Sequence, residues 1–112
     1  MQSRVIIVVL ATLSFAPAAA QDMPRFAVEA HCRQIASFGG SYSASLYGSC
    51  MDMEQTAYDN LKGLWGRLPA NMRRHCQQIA AVAGSGSYSL LESCIQMETS
   101  AGERNRSRQF RY

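Results

Sequence analysis

The strongest constraint on this chain is that it is written twice. Shifted by 44 residues, the sequence falls on itself: His31-Cys32-Arg33-Gln34-Ile35-Ala36 on His75-Cys76-Gln77-Gln78-Ile79-Ala80, Ser49-Cys50 on Ser93-Cys94, Met53-Glu54 on Met97-Glu98, and Ala57 on Ala101. Without gaps, 15 of the 27 positions from 31 to 57 match their partners in 75 to 101. A solenoid needs about three repeats or more. Two copies point instead to a closed unit made of two similar halves.

The period inside each copy is helical. Leu46, Cys50, Met53, Ala57, Leu61, Leu64 and Leu68 recur at steps of three and four, as one apolar stripe does on a helix. Leu90, Cys94, Met97 and Ala101 repeat its start. The first halves carry Val28, Cys32, Ile35 and Ala36, then Met72, Cys76, Ile79, Ala80 and Ala83. No stretch alternates with period two, so strands are not expected. Gly39-Gly40-Ser41 and Gly84-Ser85-Gly86-Ser87 interrupt each copy midway, and Pro69 separates the copies. The expected fold is all-α, with helices over roughly 24–37, 43–66, 69–83 and 88–103 forming two antiparallel hairpins. Ser89-Leu90-Leu91-Glu92 reads as a capping box, while Ser41 or Ser43 serves the first copy.

Cys32 and Cys50 each lie nine residues from Ser41, and Cys76 and Cys94 each lie nine from Ser85. In a helical hairpin, residues equidistant from the turn face each other. The expected disulfides are therefore Cys32–Cys50 and Cys76–Cys94.

Disulfides need an oxidising compartment, and the N-terminus reads as the means of reaching one. One basic residue, Arg4, precedes an uncharged and mainly apolar run from Val5, which is broken by Pro17 and ends in Ala18-Ala19-Ala20. This is the order of a secretory signal peptide, and it is too short for the roughly 20 residues of a membrane span. Residues 1–20 are thus expected to be removed. That leaves a chain from Gln21 with a two-repeat domain over 21–101, a basic tail over 102–112 and no transmembrane segment. Its expected location is periplasmic or secreted.

In combination the motifs resemble small exported bacterial proteins of unknown function. The pattern here is Cys32, Gly40-Ser41-Tyr42, Cys50, Glu54, Ala57, Leu61, Trp65 and Pro69, then Cys76, Gly86-Ser87-Tyr88, Cys94, Glu98 and Ala101. The resemblance spans about residues 28–101 and brings no catalytic residues with it. Mitochondrial twin-cysteine hairpins are similar in idea, but they carry two Cys pairs per hairpin where this chain has one.

Candidate functional residues fall into four groups. Tyr47, Glu54, Tyr58 and Trp65 form a second stripe on the second helix. It either packs on the other hairpin or presents aromatic rings to a partner. His31 and His75 precede the first Cys of each copy and would be the ligands of an alternative function, periplasmic copper or zinc binding. However, neighbours on a helix point about 100° apart, and a Cys in a disulfide is no thiolate ligand. No metal or other cofactor is therefore expected. Glu54 and Glu98 could form an acid–base pair, although an ion pair of Glu98 with Arg73 or Arg74 is the simpler use of such a residue. Arg104, Arg106, Arg108 and Arg111 make the tail basic, while residues 21–101 hold six basic and seven acidic side chains. The tail suits an anionic surface, but a formal charge of +3 excludes a histone-like nucleic-acid binder. The sequence holds no nucleophile constellation, phosphate loop or C-x-x-C pair, so an enzyme ranks below a structural or binding protein of the envelope.

Overall fold

The computed structural model describes residues 1–2, 5–13, 23–82 and 84–112. The expected cleavage site at Ala18-Ala19-Ala20, the new terminus at Gln21 and the stripe residue Ala83 lie outside them. Four helices follow in order: α1 (Val28–Ala36), α2 (Ala44–Lys62), α3 (Ala70–Ala80) and α4 (Tyr88–Asn105). A 3-10 turn, Trp65–Arg67, joins the hairpins. There is no strand among the described residues. No helix among them is long and apolar enough to cross a membrane.

Each hairpin closes in the same way. Cys32–Cys50 staples α1 to α2 and Cys76–Cys94 staples α3 to α4, each with a Cα–Cα separation of 5.5 Å. Ala36 and Ala80 are fully buried beside the staples, where a larger side chain would hold the helices apart. The turns close by equivalent bonds, from the Ser43 N–H to the Ala36 carbonyl (2.9 Å) and from the Ser87 N–H to the Ala80 carbonyl (3.2 Å). Gly39, Gly40, Gly84 and Gly86 supply the positive φ that reverses the chain.

The helix starts are set by Ser43 and Ser87, whose hydroxyls accept from the Leu46 and Leu90 N–H groups at 3.2 Å. Ser43 is one of the two caps expected for the first copy. In the second copy the cap is Ser87 rather than Ser89, because the Ser89 N–H is turned toward Glu54. The second helix ends at Lys62, short of the expected 66, and the chain tightens into the 3-10 turn beyond Gly63. The last helix runs two residues past the expected 103, to Asn105.

Helix α2 lies along α4 and joins the halves. The shared core is Ala57, Leu61, Trp65, Cys76, Ala80, Tyr88, Leu91, Cys94 and Ile95. Burying each large side chain contributes about 1.5–3 kcal/mol. Only part of the expected stripe enters this core. Met53 and Met97, read from sequence as core residues, are 63% and 71% exposed, and Leu46 is 50% exposed. The physical reason is geometric. The inter-hairpin contact falls on Glu54, Ala57 and Leu61, and Met53 points about 100° away from Glu54. Met72 is only half-buried against the core.

The largest departure from the sequence reading is at residues 23–27, which form a non-helical strap rather than the first turn of α1. The Tyr88 hydroxyl donates to the Pro24 carbonyl (2.6 Å) and accepts from the Phe26 N–H (3.1 Å). The Ala27 N–H donates to the Ser85 carbonyl at 3.2 Å. The strap thereby ties the start of hairpin one to the turn of hairpin two.

Candidate binding cleft

The repeat places a His–Glu pair in each hairpin. His31 Nε2 lies 4.0 Å from Glu54 Oε1, and His75 Nε2 lies 3.8 Å from Glu98 Oε1. Glu98, for which Arg73 or Arg74 is the expected partner, lies beside His75. Arg73 lies over the Trp65 ring, 5.9 Å from its centroid. The His–Glu pairing is therefore duplicated even though the arginines are not.

The two copies use this pair differently. Glu98 is 48% exposed and Glu54 only 3%. The Glu54 carboxylate accepts from the Ser87 hydroxyl (2.7 Å), the Tyr88 N–H (2.6 Å) and the Ser89 N–H (3.4 Å). It thus caps the N-terminus of α4 from the other hairpin. An anion there satisfies orphan N–H groups and meets the positive end of the helix dipole. Glu54 is a clamp between the hairpins, and Glu29, the other carboxylate that lines the same cleft, pairs with Arg33.

This clamp lines a cleft of about 570 Å³. Phe26, Tyr58 and Tyr88 supply aromatic walls, Met51 and Val28 add apolar surface, and Arg25, Arg33 and Gln55 bring polar groups to the rim. The rings pack on one another: Phe26 and Tyr88 are 4.7 Å apart, and Tyr58 meets Tyr88 edge-on at 5.0 Å. Arg33 is held by Glu29 at 3.7 Å across one turn of α1. The cleft can receive an apolar or aromatic group among the rings and fix it by hydrogen bonds at the rim. Concave sites of this size and lining are where small ligands and peptide side chains bind.

The aromatic stripe read from the sequence divides into three fates. Trp65 is in the core, Tyr58 is on the cleft wall, and Tyr47 is half-buried with its ring 6.3 Å from Tyr42. Arg106, Arg108 and Arg111 follow α4 in an exposed tail, and Arg104 is on its last turn. They are separate from the cleft. All four Cys are in disulfides, and no three His, Cys, Asp or Glu side chains come together to hold a metal ion among the described residues.

Sequence reasoning passed over Phe26, Tyr88, Met51, Gln55, Arg25 and Arg33 as site residues. The signal for two of them lay in the places where the copies disagree. Tyr88 replaces Ala44 of copy one, and Gly86 replaces Tyr42. Gly86 must lack a side chain because the Phe26 ring lies where its Cβ would be. Both substitutions serve the docked strap, which has no counterpart in the other copy. Comparison of the chain with protein-family models, with curated proteins and with solved structures returns no match.

Proposed function

We propose that this chain is an exported binding protein of a bacterial envelope. Its ligand enters the cleft between the strap, α1 and α2, and it acts by binding rather than by catalysis. The observation that carries the reading is the cleft itself, with three aromatic rings and two arginines placed around a carboxylate that is committed to holding the hairpins together. The disulfides fit an oxidising compartment, and the leader with its Ala18-Ala19-Ala20 site supplies the export route. The partner is an envelope protein or another envelope component with an apolar group to insert.

The test is a pull-down from envelope extract with the oxidised protein as bait, beside Tyr58→Ser and Arg25→Glu variants that keep the helical circular dichroism of the parent. Ligand retained by the parent and lost by both variants supports the reading. Equal capture by all three overturns the cleft as the site. The export claim is tested separately by intact mass, which should show a chain beginning at Gln21. A mature terminus at Met1 would refute it.

A further inference from the structure

The polar side chains of the aromatic cleft differ in what they already hold. Glu54 is committed to the start of α4. The Tyr88 hydroxyl is used twice, donating to the Pro24 carbonyl and accepting from the Phe26 N–H. Glu29 and Arg33 pair with each other at 3.7 Å. Gln55 donates to Asp59 at 3.1 Å, and Asp59 also holds Lys62, whose ammonium lies 5.8 Å from the Tyr58 ring centre. Two groups are left. Arg25 is exposed and Tyr58 half-buried, and among the described residues neither the Arg25 guanidinium nor the Tyr58 hydroxyl has a hydrogen-bond or ion-pair partner.

The uncommitted groups are thus a cation and a hydroxyl donor, beside three contiguous aromatic rings. A cationic ligand would meet Arg25 and find both carboxylates of the cleft already engaged. An anion would meet a guanidinium fork that matches the two oxygens of a carboxylate. Hairpin closure does not account for these two side chains. Arg25 and Tyr58 fall on Pro69 and Gly102 of the other copy, and that hairpin closes without either.

The strap also bears on the kind of molecule. An extended peptide is commonly held by main-chain hydrogen bonds. The Phe26 and Ala27 N–H groups and the Pro24 carbonyl are already bonded to hairpin two, so the strap has little left for such pairing. A cleft of about 570 Å³ is within the range that small ligands fill.

We propose that the ligand of the cleft is a small hydrophobic carboxylate. Its apolar body lies against Phe26, Tyr58 and Tyr88, its carboxylate is held by Arg25, and the Tyr58 hydroxyl is the further donor available to it. This assignment rests on the cleft being the binding site and adds the charge and class of what binds there.

The oxidised protein is titrated separately with naphthoate, with the uncharged naphthalenemethanol and with the peptide acetyl-Phe-Glu-amide, while the Phe26 and Tyr58 amides are followed in a ¹H–¹⁵N spectrum. Both naphthalenes should give saturable shifts, and the acid should bind more tightly than the alcohol by about fivefold or more at low salt, as a charge-assisted hydrogen bond at a partly exposed site provides. Arg25→Gln, folded by circular dichroism, should bring the acid down to the level of the alcohol, and Arg25→Lys should restore part of the preference. Equal affinity for acid and alcohol, or a preference that survives Arg25→Gln, overturns the carboxylate assignment and leaves the cleft standing as a binding site. Saturable shifts with neither naphthalene overturn the assignment together with the reading of the cleft on which it rests. Tighter binding of the peptide than of naphthoate overturns the small-molecule assignment in favour of an acidic peptide segment.

Discussion

Replacing Glu54 by Ala should be among the most damaging single changes in this protein, while the same change at the repeat-equivalent Glu98 should hardly register. Glu54 is 3% exposed and holds the Ser87 hydroxyl at 2.7 Å and the Tyr88 N–H at 2.6 Å. Each hydrogen bond to a charged group contributes about 1.5–3 kcal/mol, and a buried donor left unpaired costs about 1–3 kcal/mol. The helix-terminus interaction adds up to about 2 kcal/mol in partly buried geometry. These terms overlap, and about 3–5 kcal/mol is a fair total for breaking a buried charged contact. Glu98 is 48% exposed and lies beside His75, at 3.8 Å, so its loss should cost about 0–1 kcal/mol. A domain of this size has only about 5–14 kcal/mol of stability. Glu54→Ala should therefore lower the melting temperature by about 12 °C or more, at about 4–8 °C per kcal/mol. Glu54→Gln keeps an acceptor but sets an NH₂ group against N–H donors, and should fall between the two. The assay is urea unfolding of the oxidised protein, followed by circular dichroism at 222 nm. The reasoning fails if Glu54→Ala and Glu98→Ala differ by less than about 1 kcal/mol, the upper end of an exposed pair's contribution.

Four further outcomes follow from the same structure. Gly86→Ala should release the strap by pushing out Phe26 and straining a φ of +85°, so trypsin should cut after Arg25 faster than in the parent; Gly48→Ala, with open space around its Cβ and no positive φ, should leave that rate unchanged. Peptide mapping without reduction should recover Cys32 joined to Cys50 and Cys76 to Cys94, and removing either pair should cost about 3 kcal/mol by chain entropy. The Asp59 carboxyl should titrate below the ordinary aspartate range, because Lys62 donates to it at 3.0 Å and Gln55 at 3.1 Å; its small stabilising effect should be present above the unfolded pKa and lost as pH falls through the folded one, and Lys62→Met should move its NMR titration back up. Changing Arg106, Arg108 and Arg111 to Gln should weaken low-salt co-sedimentation with anionic vesicles by about 1 kcal/mol per residue, and equal binding at all salt concentrations would show that the tail plays no electrostatic part.

The duplication, the four helices, the turns and the disulfide pairing could all be read from the residues, because they are local or follow from periodicity and symmetry about a turn. Cys32 and Cys50 face each other for the same reason that Cys76 and Cys94 do, and no knowledge of the rest of the fold is needed to see it. The packing of one hairpin on the other was not open to that reasoning. Two copies with the same apolar stripe offer each other similar surfaces, and periodicity cannot say which flank of α2 is covered. Tertiary structure chose the flank of Glu54, Ala57 and Leu61, so Met53 was left in solvent and one of two equivalent glutamates became a buried clamp. It also drew residues 23–27 out of the first helical turn, because the Tyr88 hydroxyl and the Ser85 carbonyl bind strap backbone groups that a helical turn would otherwise engage. The cleft exists only through those choices. Its walls come from the strap, from α1 and α2, and from the first residue of α4, segments that are distant in sequence and meet only after the hairpins have docked.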